Sequence, residues 1–116
     1  MSKSRIKALI LSVLMCWSAM SMAAVEGHYG KIKSLLADTE LFGHCMLLTD
    51  ITTTLDCPEL WISLDCKGSF GSKENTRRLW DLAQLAYAMD KGIYVVVNDQ
   101  EKHNGYCSAE RLEIGS

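Results

Sequence analysis

Apolar and polar residues alternate without a break from Leu60 to Cys66. Leu60, Ile62, Leu64 and Cys66 fall on one side and Trp61, Ser63 and Asp65 on the other, the period of a half-buried strand. The pattern changes to a helical one further on, where Leu79, Leu82, Ala83, Ala86 and Met89 recur at spacings of three and four. Ser72 is placed to cap that helix, Glu74 sits favourably in its first turn, and Gly92 is expected to end it after about 17 residues. The β-branched run Ile93-Tyr-Val-Val-Val97 is apolar on both faces and predicts a buried strand.

Weaker patterns fill the rest. Tyr29 to Leu36 and the short apolar run His44 to Asp50 predict two strands joined across a turn at Asp38-Thr-Glu and Gly43. Ile51 to Pro58 reads as a loop, because a proline has no N–H to give to a central strand. Asn98 to Gly105 reads as a polar turn, and Tyr106 to Ile114 as a last half-exposed strand with Leu112 and Ile114 inward. The predicted order is β-β-β-α-β-β, with no internal repeat.

The first 23 residues stand apart. Lys3, Arg5 and Lys7 precede an apolar run from Ala8 to Trp17, and Ser21-Met-Ala23 is a small-x-small site, the three regions of a secretory signal peptide. Cleavage is expected after Ala23, with Ala24 the alternative. The apolar run is about ten residues, half of what a spanning helix needs, so no stable membrane insertion is expected. Cys16 follows Met15 rather than a small residue, so it is assigned to the apolar core of the leader and not to a lipid anchor.

Removing the leader changes two quantities. Three of the 12 Lys and Arg go with it, leaving nine against 14 Asp and Glu, a net charge of about −5 on 93 residues. With no basic cluster larger than Arg77-Arg78, such a domain is poorly suited to neutralising phosphates, and nucleic acid is not expected as a partner. The cysteines fall from five to four: Cys45, Cys57, Cys66 and Cys107. In an exported chain an even set without C-x-x-C spacing predicts two disulfides.

One domain of this length, with three strands, a helix and two strands, fits the OB-fold. That fold is a five-stranded Greek-key barrel whose helix lies between the third and fourth strands. In that barrel the third and fifth strands are parallel, which brings their starts, at Cys57 and Cys107, together. A second-to-third-strand hairpin centred near Leu55 sets Cys45 opposite Cys66. This pairing is preferred among the three that four cysteines allow.

The segment from Leu82 to Val97, the later cysteine and Arg111-Leu-Glu-Ile114 resemble small exported proteobacterial proteins of undefined role. They are also similar to the pentameric binding subunits of AB-type toxins related to subtilase cytotoxin, over residues 57 to 114. The resemblance is one of spacing and hydrophobicity. It implies a disulfide-bonded OB-fold that assembles as a homo-oligomer and binds host glycans, and it carries over no individual ligand-contacting residue.

Chemistry-bearing residues are sparse. His28, His44 and His103 are far apart and out of metal-ligand spacing, so each is read as a surface or strand-end residue. No G-x-S-x-G elbow anchors a catalytic triad, Gly68-Ser-Phe-Gly71 lacks the Lys-Ser/Thr of a phosphate loop, and no EF-hand spacing is present. The acidic pairs Asp56 with Glu59 and Asp99 with Glu101 are read as solvated loop charge. No cofactor, metal or catalytic residue is assigned. The aromatic residues carry more: Trp61 and Tyr94 are expected to face outward as a ligand platform, and Trp80 and Tyr87 share a second helix face. The expected function is a periplasmic or secreted non-enzymatic module for a glycan or protein. The alternative is a small exported enzyme or enzyme inhibitor using the Thr52–Pro58 or Asp99–Gly105 loop.

Overall fold

A computed structural model describes residues 24–58 and 61–115. The proposed leader, with its cleavage site and Cys16, lies outside the described residues, as do Glu59 and Leu60. Five strands form a closed barrel: β1 (Val25–Ala37), β2 (Cys45–Thr49), β3 (Trp61–Ser63), β4 (Gly92–His103) and β5 (Tyr106–Gly115). The helix α1 (Lys73–Ala88) lies between β3 and β4. Neighbours run β1-β2-β3-β5-β4 and close from β4 back to β1, all antiparallel except β3 with β5, which pair through Ser63 and Ser108. This is the OB-fold order expected from the sequence.

Closure depends on β1, which is longer than its apolar pattern predicts. Its first half pairs with β4, from Val25 opposite Asn98 to Lys31 opposite Gly92. Its second half pairs with β2, from Ile32 opposite Thr49 to Ala37 opposite Cys45, past an irregularity between Ile32 and Ser34. Val25 to His28 were not expected in the strand, since Glu26 and Gly27 hide its alternation. The core is lined by Leu47, Ile62, Leu64, Ile93, Val95, Val97 and Leu112, with Ala83 and Ala86 of the helix fully enclosed. Two alanines at that contact let the helix approach the barrel closely.

Ser72 caps α1 as predicted, its hydroxyl accepting the Asn75 N–H at 3.1 Å. The other end differs from expectation. Asp90, not Gly92, adopts the left-handed conformation (φ 53°). Lys91 N donates to Ala86 O and Asp90 N to Tyr87 O, the two bonds of a Schellman motif. Gly92 is already the first residue of β4, and Met89, expected on the apolar stripe, is 53 % exposed at the cap.

The polar stretch Asn98–Gly105 is also mostly strand. The reversal itself is only Asn104-Gly105, both with positive φ, as a two-residue hairpin of mirror-image type requires. Between the pairs Asn98–Ser108 and Lys102–Cys107 the β4 side carries three extra residues, Asp99, Gln100 and Glu101. They form a broad bulge.

Both disulfides join the predicted partners, Cys45 with Cys66 and Cys57 with Cys107, at Cα separations of 5.7 and 5.6 Å. Among the described residues no helix is long and apolar enough to cross a membrane.

One short segment is held under strain. Phe42, Gly43 and His44 all have positive φ, 57°, 73° and 75°, in a left-handed turn before β2. Asp38 holds its entrance by accepting from the N–H groups of Glu40 and Leu41, and Ser63 Oγ donates to the Phe42 carbonyl at 2.7 Å. A Cβ on Gly43 would stand 2.5 Å from His103 Cδ2 and 2.6 Å from Ser63 Oγ. Gly43→Ala combines that clash with an unfavourable backbone and is expected to cost about 3 kcal/mol, read as a fall in the denaturant midpoint.

Candidate functional site

The turn at 42–44 explains why the polar side of the third strand is not a surface. Ser63 and Asp65, expected to face outward, are 0 % and 2 % exposed because this turn and the end of β4 cover them. Asp65, itself left-handed at φ 55°, directs its carboxylate into the loop that precedes α1. Its oxygens accept the N–H groups of Ser69 (3.0 Å), Phe70 (2.9 Å) and Gly71 (2.9 Å), and His103 Nε2 lies 2.6 Å from Oδ1. Burial is the largest single influence on this carboxyl and works to raise it. The three N–H groups and His103 together outweigh burial and hold it below the usual carboxylate range.

Ser63, His103 and Asp65 therefore meet in space, but not as a nucleophile and its base. The Ser63 proton is committed to the Phe42 carbonyl, its oxygen accepts from Asp65 N at 3.1 Å, and the side chain is enclosed. The set is a buried polar hub that fixes the loop into the helix.

Against the hub lies a cleft of about 390 Å³ between that loop, the first half of α1 and the β4–β5 ribbon. Phe70 and Leu79 wall it, and Glu101 and Glu110 reach it from the ribbon. Burial first, and then the charges of Glu110 and Asp65, hold the Glu101 carboxyl above its ordinary range. Glu101, read from sequence as solvated loop charge, is half-buried. Glu110 accepts from Asn98 Nδ2 at 2.6 Å.

The other predicted loop, Thr52–Pro58, is tied down at three points. Glu26 accepts from the hydroxyls of Thr53 and Thr54, Cys57 is bonded to Cys107, and Lys102 Nζ approaches Asp56 at 3.4 Å. The Thr54 hydroxyl is the main cause of Glu26 lying below its usual range. His28 Nε2 lies 2.7 Å from the same carboxylate, inside β1 rather than at a strand end. His44 and His103 do sit at strand ends. Among the described residues no group of three His, Cys, Asp or Glu is arranged to hold a metal.

The aromatic residues separate into distinct groups. Trp61 and Tyr94 are both half-buried and lie on β3 and β4, which are not barrel neighbours. Tyr94 instead pairs with Tyr29 across the β1–β4 ladder, with ring centroids 4.8 Å apart and planes tilted by 51°. Tyr29 is 78 % exposed, the highest value among the exposed large apolar side chains of the described residues. The Tyr94 ring leans over Gly27, where a Cβ would fall 1.9 Å from its hydroxyl, so only glycine admits this posture. Val96 and the Arg111–Glu113 ion pair flank the tyrosines on the same outer face. Trp80 packs on the core, whereas Tyr87 is 48 % exposed.

Sequence reasoning singled out Tyr94 and missed Tyr29. The available signal was the alternation of Gly27, Tyr29 and Lys31, which becomes informative only once the register against β4 is known.

Comparison with family models, with curated proteins and with solved structures yields no match.

Proposed function

We propose that this protein is an exported, non-enzymatic binding module that recognises a glycan through the tyrosine pair on the outer face of β1 and β4. The observation that carries this reading is Tyr29, 78 % exposed yet held at 4.8 Å from Tyr94. A ring this exposed buries little of its own surface against the fold, so most of its face stays open to a ligand. Its electron-rich face suits the polarised C–H face of a sugar ring, and the side chains of Arg111 and Glu113 beside it suit hydroxyl groups.

Two disulfides and the leader-like start support export to the periplasm or beyond. The toxin-subunit resemblance points to the same ligand class and to assembly as a homo-oligomer.

A glycan array, run with a solution size measurement on the oxidised protein, tests this reading. The expected result is selective binding by an oligomer, with Tyr29→Ala weakening it at least about tenfold while the melting temperature stays within about 2 °C. A monomer silent on every glycan would refute it.

A further inference from the structure

The cleft beside the buried hub shares β4 with the tyrosine pair but none of its side chains, and its lining describes a different ligand. We propose that it binds an organic cation, an alkylammonium or alkylguanidinium group on a short apolar stem. The stem would lie on Phe70 and Leu79 and the cationic head between Glu101 and Glu110.

The cleft is a formed cavity. At about 390 Å³ it is at the small end of ligand pockets, suited to one side chain or a small amine. The backbone that carries its aromatic wall is held in place. Phe70 is 43 % exposed, but its backbone N–H is held by Asp65, as are those on either side, and its ring stands 5.0 Å from the His103 ring. An exposed ring on a pinned backbone, resting against a neighbouring ring, offers a face to a cation at reduced ordering cost.

The acidic side follows from the bulge in β4, whose three extra residues bring Glu101 to the cleft. Four other carboxyls of the fold, Glu26, Asp38, Asp65 and Asp90, are held below their ordinary range by donors of this chain. The Glu101 carboxyl is raised, and among the described residues its side chain has neither a hydrogen bond nor an ion pair. No lysine or arginine lines the cleft among the described residues. A half-buried carboxylate without a counter-charge, facing an apolar cavity with an aromatic wall, is complementary to a cation that comes from elsewhere.

Such a group could come from a free small molecule or from a basic side chain of a partner polypeptide. Amide-detected NMR titrations of the oxidised protein with agmatine, cadaverine and an end-blocked arginine peptide separate these sources, with 1-pentanol as the uncharged control. Saturable shifts at Phe70, Glu101 and Glu110 are expected with the cations and not with pentanol. Glu101→Gln should weaken binding about tenfold, and Phe70→Leu about threefold. Glu101→Gln removes an unpartnered charge and is expected to melt no lower than the wild type, so its loss of binding is not a loss of fold. A peptide bound at least tenfold more tightly than agmatine assigns the cleft to a partner polypeptide; equal or tighter agmatine binding assigns it to a small cation. No saturable shift up to 50 mM, equal affinity in Glu101→Gln, or equal binding of pentanol would overturn the proposal; the 50 mM ceiling corresponds to about 2 kcal/mol of binding free energy. Because the tyrosine face is not involved, these outcomes leave the glycan reading untouched.

Discussion

Reduction of the two disulfides is expected to unfold the domain at ambient temperature. The Cys45–Cys66 bridge closes 21 residues and the Cys57–Cys107 bridge 50. The chain-entropy account gives about 3 and about 4 kcal/mol for loops of this size. Their sum is comparable with the roughly 5 to 15 kcal/mol that separates a small domain from its unfolded state. Placement adds to the effect. β3 has only three residues and meets β5 through a single pair, so its ladder bonds hold it weakly. The bridges flank it, Cys66 tying its exit to the start of β2 and Cys57 tying its approach to β5. Thermal melts with and without reductant measure this. A loss of the folded baseline is predicted, and the Cys57→Ala/Cys107→Ala pair should cost more than Cys45→Ala/Cys66→Ala. A shift of only a few degrees under full reduction would show that the barrel holds β3 without them.

Asp65→Asn is expected to lose about 3 kcal/mol, the order seen when one partner of a buried ionic network is removed. Asparagine keeps the size of the side chain and tolerates the left-handed backbone, so the change isolates the charge. Three N–H groups and His103 would then face an amide that can accept at only one atom. The pH dependence has a definite sign. The folded-state carboxyl of Asp65 lies below its unfolded value of 3.8, so the charged form is the one that folding favours. Its contribution is complete above about pH 4 and is lost as pH falls through the lowered folded value. Urea midpoints of wild type and Asp65→Asn should therefore converge on acidification below pH 4. Midpoints that stay separated by the same amount into strong acid would show that the aspartate acts through shape and not charge.

Much of the frame was legible because it rests on local rules. The alternation around Ile62 and Leu64, the cap at Ser72 and the β-branched run at 93–97 each commit their own residues to an element. Strand order then limits which cysteines can meet. What was not legible depended on neighbours distant in sequence. Asp65 reads as an outward residue by alternation and becomes buried because the 42–44 turn and His103 close over it. Asn104-Gly105 is a strong hairpin signal, but the polar residues from Asn98 onward, some of them in the bulge, look like turn and obscured it. Tyr29 gained its importance only from register, since nothing near it in sequence indicates that Tyr94 will stand opposite.

Saturation-transfer NMR with a set of methyl pyranosides reads contact between the Tyr29–Tyr94 face and a sugar ring without an intermediary. Transfer from the protein to the ring C–H protons of at least one sugar is expected, with loss of that transfer in Tyr29→Ala while the fold is unchanged. Transfer that survives Tyr29→Ala undiminished, or none from any sugar, would contradict it.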